Sequence, residues 1–167
     1  MNNSFLWVPA LTLLYLLSSC HHSGETKLNE HNIKFVKKAR EADLAGIKAA
    51  QIAVNNSKNP RVVAFAKALM GDYNEALSKI KDIKTGSPAD SISPAHQQYL
   101  AKISKLTGKS FDDAYTNGEL NNTEATLMIY VDAMQSRQDS LFQYAQATTL
   151  PIEERIDSAK KITVSLK

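Results

Sequence analysis

Cysteine is almost missing from this 167-residue chain. The one that is present, Cys20, has no partner for an intramolecular disulfide, so the fold must be held by packing. Charge of one sign is also lacking: 20 basic against 17 acidic residues leave +3, and the lysines and arginines are scattered and form no track. That excludes nucleic acid as an expected partner. The common chemical motifs are absent as well: there is no His-Glu-x-x-His zinc helix, no Walker-type phosphate loop and no Gly-x-Ser-x-Gly elbow. Carboxylate-bridged iron in helical bundles needs Glu-x-x-His pairs one turn apart. The residues three before His21, His22, His31 and His96 are Ser18, Ser19, Leu28 and Ser93, so no such pair exists. Nucleophilic catalysis lacks a candidate as well, and the expectation is a protein that is not an enzyme. Strand-like alternation between hairpin turns and fixed-period repeats are missing too.

A composition that is 43% apolar over this length supports one ordinary domain with a real core. The one long apolar run, Phe5 to Leu17, is too short to span a bilayer comfortably and reads as an export signal. It ends in Leu17-Ser18-Ser19-Cys20, where an apolar residue and two small ones precede a cysteine. That is a lipobox, and it makes residues 1–19 a lipoprotein signal and Cys20 a lipid-attachment site. The alternative is an ordinary cleaved signal with an incidental cysteine, and the segment departs from the usual pattern in having no lysine or arginine before the apolar run. Residues 20–32 lack an apolar period and read as the lipidated cysteine and a flexible tether. His21-His22 on such a tether would hold a metal only loosely.

From Ile33 the period changes. Phe35, Val36, Ala39, Ala42, Ile47, Ala50 and Val54 recur at three- and four-residue steps, which predicts a long amphipathic helix. Asn59-Pro60 supplies a cap and a first-turn proline for a second helix, whose stripe is Val62, Phe65, Leu69, Tyr73, Ala76, Ile80 and Ile83. Gly86 and Pro88 end it, and Ser93-Pro94 starts a short third helix that Gly108 stops. Ser110 to Asp113 resembles a capping arrangement for a fourth helix carrying Tyr115, Leu120, Leu127, Tyr130, Val131 and Met134. A last helical segment contains Pro151, which should kink or break it. Four longer helices and one short one predict an all-α bundle over residues 33–167.

Several stretches carry a resemblance: "FVKKAREADLA", "NPRVVAFAKALMGDY", "HQQYLAKISKLTGKSFDDAY" and "YAQATTLP". Together they are similar to the ferritin-like domain-of-unknown-function 4142 family of bacterial envelope proteins, often described as predicted outer-membrane proteins. The resemblance implies a ferritin-like four-helix bundle. It also implies inward-pointing ligands in many members: a glutamate in the first helix, an Asp-His pair in the second and a histidine in each of the last two. The matching positions here hold Lys48, Asp72-Tyr73, Thr123 and, across a one-residue shortening, Arg155. A cation at Lys48 or Arg155 would repel a metal. No cofactor is therefore expected.

The remaining polar candidates each have two readings. Asp72 and Lys48 either form an interior ion pair in place of a metal cross-link or both reach solvent at the stripe edge. His96 is either a ligand or proton-sensitive contact, or, as expected, a hydrogen-bonding residue at the start of the third helix. Lys34, Lys37, Lys38 and Arg40 read as a solvated face, with contact to anionic headgroups as the alternative. Two functions follow. One is a membrane-anchored envelope lipoprotein with a non-enzymatic binding or structural role toward an unidentified envelope protein. The other is a divergent metal-binding or redox protein of the ferritin-like group. The family resemblance points to the outer membrane, facing the periplasm.

Overall fold

A computed structural model describes residues 22–81, 83, 91–135 and 139–166, with side chains left undescribed at 22–29, 139 and 140. The signal segment 1–19, Cys20, His21, Gly86 and Pro88 lie outside the described residues. Five helices follow in order: α1 (His22–Asn56), α2 (Pro60–Ile80), α3 (Pro94–Ile103), α4 (Gly108–Ala133) and α5 (Asp139–Ser165). There is no strand among the described residues, and no helix of theirs is long and apolar enough to cross a membrane.

Short connections make α1/α2 and α4/α5 antiparallel hairpins, and their starts are chemically marked. Asn59 caps α2 by accepting from the Arg61 amide at 3.0 Å, with Pro60 at the first position, where no amide hydrogen is required. Ser93 caps α3 in the same way by accepting from the His96 amide. The fourth helix begins at Gly108, whose φ of +57° favours glycine. The expected cap around Ser110 lies inside that helix.

Two apolar layers fill the bundle. The first joins Ala49 and Ala53 of α1, Phe65 and Leu69 of α2, Phe111 and Tyr115 of α4, and Ala159 of α5. The second joins Phe35 and Ala39, Ile80, Tyr130 and Ala133, and Leu141 and Ile152. These groupings place the start of α2 beside the start of α4, so the two run parallel. The connection carrying α3 must climb the length of the bundle, as one long crossover does in ferritin-like folds. The six stripe residues from Val62 to Ile80 are buried in α2, and Ile83, read as part of the same helix, is buried just past its end.

Two expectations need correction. The first helix begins at His22, not near Ile33, so residues placed in a flexible tether continue the helix. No proline interrupts the chain there, and Asn32 is already buried against the fold. Pro151 does not break α5, which runs unbroken through it. Proline removes the amide that would bond the Ala147 carbonyl, but Ala147 is exposed and water can take that acceptor.

Candidate functional site

Between the two apolar layers lies a polar level, built from four helices. Its α4 wall follows the buried stripe Phe111, Tyr115, Glu119, Thr123, Thr126, Tyr130 and Ala133, at steps of three and four, so Glu119 and the threonines must point inward. The threonines are satisfied by their own helix: Thr123 Oγ1 donates to the Glu119 carbonyl at 2.7 Å and Thr126 Oγ1 to that of Asn122 at 2.8 Å. Glu119, fully buried, has no such local outlet. Its Oε2 accepts from the Tyr73 hydroxyl of α2 at 2.9 Å, while Oε1 has no hydrogen-bond partner.

From α1 comes Asp43, 1% exposed, on a stripe that steps from Val36 through Ala39 to Asp43, Gly46, Ala50 and Ala53. Its Oδ2 is also without a hydrogen-bond partner. Gly46, one turn on, lets the two helices close: a Cβ there would collide with the Tyr73 ring. Arg155 of α5 completes the level. Its side chain is 6% exposed, its guanidinium lies 4.9 Å from the Tyr73 ring centroid, and Nε stands 3.5 Å from Asp72 Oδ2. That distance is an ion pair but too long for a good hydrogen bond, and Nε is buried without one.

Burial dominates the acid–base chemistry. It pushes Asp43 from 3.8 up to about 7, with the Arg155 and Arg40 charges opposing the rise. It likewise pushes Glu119 from 4.5 up to about 7, against the Tyr73 hydrogen bond and Arg155. Burial and the neighbouring Glu119 hold the Tyr73 hydroxyl well above its ordinary value, so it stays a donor. The level can hold protons on its two carboxyls near neutrality and offers one fixed cation.

The sequence candidates divide between this level and the surface. Tyr73, Thr123 and Arg155 are buried in it, and Asp72 is half-buried at its edge. Lys48 is exposed, and the pair proposed for it with Asp72 is made instead by Arg155. Five residues after Asp43, Lys48 sits about 140° around the helix and faces solvent. His96 lies apart, at the α3 start, where Nδ1 is 3.1 Å from Glu41 Oε1 and 3.3 Å from Ser93 Oγ. Burial works to raise the Glu41 carboxyl, yet its hydrogen bonds with Ser93 and His96 hold it below its ordinary value.

A metal does not fit this level. Arg155 is within electrostatic reach of both buried carboxyls, and neutral hydroxyls stand at Tyr73 and Thr123. Among the described residues no three His, Cys, Asp or Glu side chains are grouped to hold an ion.

Such a bundle, with one long crossover and an ion-and-hydroxyl interior, defines a class by architecture and not by reaction. The sequence matches the family described as "Domain of unknown function (DUF4142)" over residues 18–162, and the chain belongs to that family. No curated protein matches it. Among solved structures it is similar to the crystal structure of a DUF305 fragment from Deinococcus radiodurans, with a TM-score of 0.72 and 12% identity, over 81% of this chain and 96% of that one. At that identity the likeness concerns the fold alone.

Proposed function

We propose that this protein is a lipid-anchored component of the bacterial cell envelope, held through Cys20 at the outer membrane and facing the periplasm, with a non-enzymatic structural or binding role. The anchor reading is supported by the apolar segment Phe5 to Leu17 that ends in Leu17-Ser18-Ser19-Cys20, and by the absence of a second cysteine. Several acyl chains on one cysteine give stable attachment, at about 0.8 kcal/mol per buried methylene.

The role reading is carried by Arg155. Where a ferritin-like metalloprotein would cross-link its helices through a cation and four or more ligands, a guanidinium pairs with Asp72, lies over the Tyr73 ring and is within electrostatic reach of two buried carboxyls, Asp43 and Glu119. A fixed side-chain cation can join helices but cannot change oxidation state or exchange a ligand. The remaining chemistry is recognition at the surface, by an envelope protein or a small molecule. Mass spectrometry of protein taken from its native membrane tests the anchor: a diacylglyceryl-modified Cys20 at the mature N-terminus is expected, and an unmodified Cys20 or cleavage elsewhere overturns it. Tight metal binding by the protein would overturn the role reading in favour of a redox or metal-binding one.

A further inference from the structure

Among the described residues, the seam between α2 and α5 is open. It forms a groove of about 230 Å³, smaller than the pockets that take drug-sized ligands. Small side chains widen it: Ala68 and Ala76 on one wall, Ala147 and Ser158 on the other. Phe65 and Leu69 give it an apolar base.

What marks the groove as a site is Arg155. More than nine-tenths buried, it lines the groove, and its buried Nε has no hydrogen-bond partner. An arginine held in this way by stacking on Tyr73 is a fixed fork for a carboxylate. A simple anion does not suit the surroundings, because Asp72, Glu75 and Glu154 also line the groove. A simple cation would meet Arg155 and Lys79. Glu75 and Lys79 neutralise each other at 2.5 Å, which leaves Arg155, Asp72 and Glu154 as the charges a ligand meets. Among the described residues Glu154 makes no ion pair, and Asp72 contacts Arg155 only at 3.5 Å. One cation and two carboxylates within a groove of this size match a ligand that carries both signs close together.

We propose that the groove between α2 and α5 binds a small zwitterion, a free amino acid or a dipeptide, with its carboxylate on Arg155 and its ammonium between Glu154 and Asp72. The small walls leave room for a short side chain against Phe65 and Leu69. The site goes beyond the anchoring role and does not depend on it, since every residue named lies in the folded bundle.

The test is calorimetric titration of the full-length protein in detergent with four probes: alanine, alanyl-alanine, acetate and ethylammonium. One of the two zwitterions should bind with one-to-one stoichiometry, and which one sets the separation of the charges. Acetate and ethylammonium, each lacking half of the recognition, should bind at least about tenfold more weakly. Glu154→Gln changes an exposed residue, so its melting temperature should match the parent while zwitterion affinity falls about tenfold or more. Arg155→Lys, which keeps the charge and loses the fork, should weaken the zwitterion and acetate alike. Failure of both zwitterions to bind, acetate binding as tightly as the better of them, or unchanged affinity in Glu154→Gln would each overturn the proposal.

Discussion

Stability should fall as pH rises through neutrality, because the interior favours protonated carboxyls. Asp43 and Glu119 have folded-state values raised above their unfolded ones, so each contributes stability that is fully present below about pH 4 and is lost as pH climbs past the folded value of about 7. At about 1.36 kcal/mol per decade, moving Asp43 from 3.8 to about 7 is worth about 4 kcal/mol, and moving Glu119 from 4.5 to about 7 about 3 kcal/mol. The two share Arg155, so their combined effect need not equal the sum. Urea unfolding followed by circular dichroism should show the unfolding free energy dropping by about 3 kcal/mol or more between pH 5 and pH 8, a large share of an ordinary domain's total. Asp43→Asn and Glu119→Gln should each flatten the curve, and the Gln oxygen can still accept from Tyr73. A stability that is level or rises from pH 5 to 8, or a slope that survives both substitutions together, would refute the protonated-interior reasoning.

Other perturbations probe the packing around that level. Phe65→Ala empties a site in the first apolar layer and should cost about 3 to 5 kcal/mol, whereas the exposed Lys79→Ala should cost far less; equal urea midpoints would mean that the α2 face is misassigned. Gly46→Ala drives a methyl into the Tyr73 ring and should destabilise by about 1 to 3 kcal/mol, with a matching loss when helix contacts are read by hydrogen exchange; a neutral result would show that α1 and α2 are less closely apposed. Ser57→Ala removes the 2.6 Å hydrogen bond that ties the α1–α2 loop to buried Asp112, and a loss of about 1 to 3 kcal/mol in the unfolding free energy measured in urea is expected from the stranded carboxyl.

The architecture was legible where spacing and punctuation agreed. The α2 stripe from Val62 to Ile80, the Asn59-Pro60 and Ser93-Pro94 starts and the number of helices all follow from steps of three and four and from residues that cap or stop a helix. The heart of the site was harder to read. Asp43 and Glu119 sit on the same periodic stripes as their apolar neighbours, but a count of apolar residues skips them. The signal was there in the steps Ala39 to Asp43 and Tyr115 to Glu119, each one turn apart on a buried face. Lys48 was singled out by matching a family position, and that match carries no information about which way the side chain faces. The pairing of Arg155 with Asp72 joins residues of α5 and α2, far apart in the chain, and only tertiary structure brings them together. Local composition misled at both ends of the argument: polar residues before Ile33 still form helix, and an exposed proline is tolerated inside α5.

The most direct test of an interior closed by Arg155 in place of a metal is the metal content and melting temperature of protein purified in detergent and incubated with iron, zinc or copper. Less than about a tenth of an equivalent should remain after desalting, and a chelator should leave the melting temperature unchanged, since a species that does not bind the native state cannot stabilise it. One tightly held equivalent, with a melting temperature that falls on chelation, would contradict the account.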